Sequence, residues 1–408
     1  MQYDVLIVGG GPSGAVAAAN LMGAGLRVCI LDRARFPRLK PCGGGISCRA
    51  YTRLPYLAEV MRSVPTNYVH RLVFEAPSGQ SVEFAAREPL YAMIRRIEFD
   101  HALIRHVVAG GVELREAVTV SKLEVLTDGV RITSTAGEVF TARMAIGADG
   151  VNSVIAVQSG LRGPWPPDKL AMDGTEESPQ SALQLEQDTM YVYYGRGGAY
   201  GYGYLFPKAT HANFGIGYRL DYMRAHIAEK PVALHDEFLA MLKERGVVQG
   251  ASQKENFHPW VLPVGGPLDK LSTDRVLLAG DAAGFVNGFT AEGIYYAMVS
   301  GELAGRAARA ALAAGNVSAV SLGRYDRACE AELGYELRKS VHLQQRLMSE
   351  PRLMDSVVRF AQRSKAARQL LCDYGVGRIG YREMRRRALI EALPAFVRYQ
   401  MEKFFARM

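Results

Sequence analysis

Cysteine is too sparse and too scattered in this chain to build a covalent framework. The five residues, Cys29, Cys42, Cys48, Cys329 and Cys372, form no CxxC pair and no His/Cys cluster with zinc spacing, and their odd number argues against a full set of disulfides. The expectation is a cytosolic, metal-free protein. No uninterrupted apolar stretch reaches the roughly 20 residues that span a bilayer. The N-terminus runs almost at once into the apolar run Tyr3-Asp4-Val5-Leu6-Ile7-Val8, without the basic start and apolar core of a signal peptide. Any membrane contact is therefore expected to be peripheral, on the inner face. No internal repeat or low-complexity tract interrupts the sequence, which excludes solenoid and disordered architectures.

What is present is ordinary globular composition. The chain has 408 residues, 49% hydrophobic and 22% charged, enough to bury more than one core. The formal net charge of +8 suggests an acidic partner surface, such as phospholipid head groups, phosphates or nucleic acid. Charge alone does not choose among them. Its distribution is informative, because the last fifty residues carry twelve Lys/Arg against four acids, an excess of eight equal to that of the whole chain. Leu389, Leu393, Phe396, Val397, Phe404 and Phe405 interleave with these charges, as on a helix lying at an anionic bilayer. A solvated helix packed by its apolar face would read the same way. Few aromatics are spaced for base stacking, so nucleic acid is not expected as a partner.

The first thirty residues read as strand, glycine turn, helix and strand. Gly9-Gly10-Gly11-Pro12-Ser13-Gly14 fits G-x-G-x-x-G, which lets backbone approach a pyrophosphate at the positive end of a helix. Asp32 lies 18 residues past Gly14, at the end of the second strand, with Arg33 beside it. An acid there accepts hydrogen bonds from ribose hydroxyls and favours FAD or NAD over NADP. Two later segments favour FAD. Ala148-Asp149-Gly150 follows a strand, and Val276 to Leu278 runs through Gly280 and Asp281 towards Glu292-Gly293-Ile294. The helix start at Gly293 and Ile294 would stabilise negative charge on the pyrimidine edge of a reduced flavin.

Together these three segments resemble the flavoproteins with the para-hydroxybenzoate hydroxylase fold, over residues 3 to about 315. Arg96-Ile97-Glu98-Phe99-Asp100 matches that superfamily's R-x-x-F-D segment, in which the arginine looks towards the cofactor. Lys40-Pro41-Cys42-Gly43-Gly44-Gly45-Ile46 resembles the K-x-C-G-G segment of geranylgeranyl reductases, and Tyr202-Gly203-Tyr204-Leu205-Phe206-Pro207 resembles their Y-x-W-x-F-P stretch, with Tyr204 in the tryptophan position. The resemblance implies an α/β fold: a Rossmann-like FAD-binding domain with an inserted α+β substrate domain, mostly antiparallel sheet, and a C-terminal helical segment. The expected boundaries are 1–60, 90–160 and 270–320 for FAD binding, 61–89 and 161–269 for the substrate, and 321–408 for the basic helical end.

The implied activity is reduction of carbon–carbon double bonds in a geranylgeranyl or other polyprenyl chain. Cys42 and Gly44 are then the candidates beside the reacting atoms, with Gly43 against the flavin face. Tyr202, Tyr204, Phe206 and Pro207 would line the apolar substrate cavity. Gly195-Arg196-Gly197-Gly198 lacks the strand-turn-helix setting of a second fingerprint, so NADPH, NADH or a reduced electron carrier is expected to dock transiently. Two rivals stay open. One is an FAD-dependent aromatic monooxygenase, a halogenase being disfavoured by the missing W-x-W-x-I-P segment. The other is a non-catalytic flavin-binding protein attached to a membrane by its basic tail.

Overall fold

The structure, a computed structural model, describes residues 1–195 and 201–392. Arg196 to Gly198, and the tail from Leu393 through Phe396, Val397, Arg398, Lys403, Phe404, Phe405 and Arg407, lie outside the described residues.

Two sheets organise the molecule. The first has eight strands, and its parallel centre runs Val276–Leu278, Val139–Gly147, Tyr3–Val8, Val28–Leu31 and Glu113–Arg115. Val5, Leu6 and Ile7 are wholly buried, as expected of a parallel strand covered on both faces. Val120–Val125 and Val130–Ser134 extend it as an antiparallel meander. The opening helix is short: Pro12–Ala19 ends at Asn20, and Gly23 and Gly25, both at φ +68°, turn the chain back to Val28.

The helix Ile294–Ala313 crosses Pro12–Ala19 closely. Gly301 and Gly305 make the approach possible, since a Cβ at Gly301 would fall 2.9 Å from the carbonyl carbon of Ser13 and one at Gly305 would fall 2.8 Å from Asn20 Cβ.

The second sheet has seven strands in the order Phe257–Pro263, Leu170–Pro179, His211–Arg219, Gly201–Pro207, Thr189–Tyr194, Arg71–Glu75 and Ser81–Ala85. It is antiparallel except where Thr189–Tyr194 meets Arg71–Glu75. Arg71–Glu75 and Ser81–Ala85 form a hairpin across Pro77-Ser78-Gly79, with Gly79 at φ +82°. Period-two alternation gives this sheet two apolar faces. Tyr193, Leu205, Phe214 and Ile216 pack on the helix Pro231–Glu244, whereas Leu72, Phe74, Met190 and Tyr194 face the other way, with Met348 and Met354 from the helices after residue 335. Among the described residues no helix is long and apolar enough to cross a membrane.

Candidate active site

Between the two sheets lies a cavity of about 480 Å³, which runs from the glycine turn at Gly9 to the apolar face of the seven-stranded sheet. Gly9 has φ +100°, and above Gly11 a Cβ would meet nothing nearer than Arg38 at 3.7 Å. The helix Pro12–Ala19 begins without a side-chain cap and without an acid in its first turn, and so does Ile294–Ala313 at Gly293. Gly11, Pro12, Ser13, Gly293 and Ile294 all line the cavity, so two uncapped helix N-termini converge on one space. Each offers unpaired N–H groups and a partial positive charge, which suits a ligand anionic at two separated points. A dinucleotide with a pyrophosphate and a reducible ring fits that description.

Asp32 and Arg33 line the same end. Asp32 accepts the Gly10 N–H at 2.7 Å and the Ala34 N–H at 2.8 Å, so the turn itself orients the carboxylate. Arg96 grips Asp100 with both arms of its fork, at 2.7 and 2.8 Å, and Arg38 reaches the same buried carboxylate at 3.2 Å. Burial opposes the Arg96 charge, but Asp100 and Cys42 more than offset it, so the guanidinium stays a fixed cation in the wall.

Of the expected cofactor contacts, Gly14 and Gly280 lie off the cavity lining, and Asp149 lies on it with its carboxylate engaged elsewhere. Gly14 is behind the wall, where a side chain would strike the Gly9 backbone, and it serves helix–strand packing. Gly280, at φ +63°, donates its N–H to Ser300 Oγ at 3.0 Å and packs against Ser13; its neighbour Asp281 lines the cavity. Asp149 borders the cavity, yet its carboxylate turns onto the helix Val154–Gln158, accepting from Ser153 Oγ at 2.5 Å and the Val154 N–H at 2.8 Å.

The glycine loop is pinned from the substrate side. Lys208 is wholly buried, is paired with Glu177, and donates to the Cys42 carbonyl at 3.1 Å. Burial pushes the Glu177 carboxyl up, but Lys208 and Arg95 outweigh it and hold that group below the usual range. Gly44, at φ +75°, leaves room for this contact, since a Cβ there would stand 2.9 Å from Lys208 Nζ. At Gly43 a Cβ would stand 2.8 Å from the Phe206 ring. The Cys42 thiol side meets Arg96. Lys40 lies over the Trp260 ring at 3.8 Å, and burial, reinforced by Arg96, pushes its ammonium down to about 8.

Tyr202, Tyr204 and Phe206 share the cavity face of their strand, with ring centroids 6.0 and 4.7 Å apart along the row. Pro207 is outside the lining; its carbonyl accepts from Asn67 Nδ2 at 2.9 Å. Tyr204 crosses Gly215 and donates its hydroxyl to Asp173 Oδ2 at 3.0 Å. Asp173 Oδ1 is shielded from solvent and has no hydrogen-bond partner among the described residues. Burial raises this carboxyl to about 6, against the opposing pull of Tyr204 and Lys40. Leu371 and Tyr374, from the C-terminal helices, complete the wall, so residues beyond 335 belong to the site.

Asp173, Lys208, Glu177, Lys40 and Trp260 were not among the expected site residues. Alternation in Asp173-Gly174-Thr175-Glu176-Glu177 does put both outer acids on one strand face, but nothing local says which face meets the cavity.

Residues 2–331 match the FAD binding domain family. The chain is 30% identical to a digeranylgeranylglycerophospholipid reductase of Methanothermobacter thermautotrophicus, over 84% of its own length and 86% of that protein. It is also 30% identical to a geranylgeranyl diphosphate reductase of Rhodobacter capsulatus, over 79% of each. The chain belongs to the geranylgeranyl reductase family of FAD-dependent oxidoreductases. In fold it is similar to a geranylgeranyl bacteriochlorophyll reductase-like protein of Thermoplasma acidophilum, with TM-score 0.78, 20% identity and 98% of both chains covered. A flavin-dependent halogenase shares the fold more distantly, with TM-score 0.65, 21% identity, and 82% of this chain and 62% of that one covered.

Proposed function

We propose that this reductase saturates carbon–carbon double bonds of a geranylgeranyl or other polyprenyl chain. The observation that carries this reading is the continuity of one cavity from the dinucleotide end to an apolar wall built by Leu72, Phe74, Met190, Tyr202, Phe206 and Leu371. A long hydrocarbon gains about 25 cal/mol per Å² on entering such a wall.

FAD, when bound and reduced, supplies the hydride. The residues of this chain then have distinct work. Gly9, Gly11, Pro12 and Ser13 would receive the pyrophosphate, and Asp32 would face the ribose. Gly293 and Ile294 would present a helix N-terminus to the pyrimidine edge. Lys208 and Glu177 hold the loop from Cys42 to Gly44 in place, and Cys42 and Gly44 stand beside the reacting carbons. Tyr202, Tyr204 and Phe206 keep water from the alkene.

NADPH, NADH or a reduced carrier docks transiently to reload the flavin. The basic C-terminal segment, with Leu389 and Ile390 exposed beside Arg382 and Arg385, supports peripheral contact with an anionic lipid face.

Anaerobic photoreduction of the purified flavoprotein, followed by geranylgeranyl diphosphate or a prenylated quinone, tests the reading. Flavin reoxidation with a product two mass units heavier is expected. A flavin that stays reduced with every prenyl compound, but reacts faster with oxygen beside a small aromatic, would replace the reductase with a monooxygenase.

A further inference from the structure

We propose that Tyr204 delivers the second hydrogen of the reduction, as a proton, and that Asp173 behind it restores that proton; this rests on the prenyl-reductase reading above. Saturating a double bond creates two C–H bonds. The hydride from reduced FAD provides one of them and both electrons, leaving the flavin oxidised. The other bond needs a proton, and an unactivated alkene in a dry site takes it from an acid fixed in the wall.

Geometry singles out this pair. The Tyr204 ring is 4.7 Å from that of Phe206, and both rings meet Gly43 of the glycine loop. Tyr204 therefore stands where the loop meets the apolar sheet face. Its hydroxyl is 3.0 Å from Asp173 Oδ2, and Gly215 and Gly217 on the adjoining strand leave room for the phenol and for Asp173 Oδ1. An Oδ1 without a partner is a costly place for a full negative charge and a cheap one for a neutral carboxyl. The rise of this group to about 6 agrees with that. Lys40 from the glycine loop, and Tyr204 and Tyr202 two strands away, are the titratable groups that act on it, and Arg219 on the strand between lines the same cavity.

A neutral Asp173 reverses the hydrogen bond, donating to Tyr204 Oη and freeing the phenol hydrogen. The Tyr204 O–H bond then breaks as the new C–H bond forms, and the Asp173 O–H bond breaks as the phenol re-forms. The π bond is consumed, and the Asp173 carboxylate takes a proton from solvent before the next turnover. Tyr204 stands where the family pattern has tryptophan, whose indole N–H is too weak an acid for the task.

Single-turnover reoxidation of the photoreduced holoenzyme by geranylgeranyl diphosphate, followed from pH 5 to 9 in H₂O and D₂O, tests the pair. The parent rate is expected to fall with rising pH and to show a solvent isotope effect. Tyr204→Phe and Asp173→Asn should each react about 100-fold slower and lose the pH-dependent limb. A second readout needs no prenyl compound: infrared difference spectra of the oxidised holoenzyme should show a protonated-carboxyl band at low pH that is absent in Asp173→Asn. Parent-like rates and pH profiles in both variants, or no such band, overturn the proposal. A parent enzyme that shows the band but is never reoxidised by a prenyl compound overturns the reductase reading, and the proton step with it.

Discussion

Single residues set the pH behaviour of this protein, and two carboxyls do so in opposite senses. Asp173 binds its proton more tightly folded than unfolded, so the folded state loses stability as pH rises from about 4 to about 6 and carries the full penalty above. The penalty amounts to about 3 kcal/mol. Asp173→Asn should therefore unfold at higher denaturant than the parent at pH 7.5 and at the same denaturant near pH 4; an equal difference at both would contradict the assignment. Glu177 is held low, so its contribution is complete at neutral pH and disappears as acid drives it through its folded value. Lys208→Met leaves that carboxylate with Arg95 as its ion-pair partner and Asn213 Nδ2 at 3.5 Å, and should cost about 3–5 kcal/mol in urea unfolding at pH 7. The double variant Lys208→Met with Glu177→Gln should recover part of the loss. Residues of this kind were the least legible in the sequence. Asp32 announced itself by its distance from a glycine turn, but Asp173 is one of three acids in a strand that carries no motif, and its partner Tyr204 was expected as a wall residue, not as the partner of an acid. Lys208 directly follows the Tyr202 to Pro207 stretch, yet its reach to the Cys42 carbonyl joins positions 166 residues apart.

At the scale of elements, the glycine turn was readable in the sequence, and the hairpin at Pro77 to Gly79 and the helix Arg96–Ala109 also follow from local chemistry. What local chemistry does not contain is the crossing of Pro12–Ala19 with Ile294–Ala313, which depends on Gly301 and Gly305 facing Ser13 and Ala17. Gly301→Leu should force the two helices apart, disturb the N-termini that flank the cavity, and yield protein purified without its yellow colour. Absorbance at the flavin band against protein content measures this, and a fully coloured variant would show that the close crossing is dispensable. The same limit explains Gly280 and Asp149. Both sit in motifs that point to the cofactor, but the motif does not reveal that a nearby serine or helix start has already claimed them.

The whole molecule has an uneven charge distribution, and its basic end is also part of its catalytic wall. Binding to vesicles containing anionic lipid should be measurable by co-sedimentation, should weaken as salt rises, and should drop sharply in Arg382→Glu with Arg385→Glu, while neutral vesicles bind neither form. Equal binding to neutral vesicles would remove the electrostatic account. Arg49 draws the remote parts together: it pairs with Glu292 at 2.8 Å, lies over the Tyr295 ring at 3.7 Å, and donates to the Gly377 carbonyl at 3.3 Å. The consequence is one of timing during synthesis. A ribosome adding about 5–20 residues per second delivers Tyr374 and Gly377 well after the seven-stranded sheet has emerged. Until they emerge, the apolar sheet face made from residues 72 to 206 has no lid, and the nascent protein must pass through an interval in which its future lipid site is open to every other hydrophobic surface in the cell.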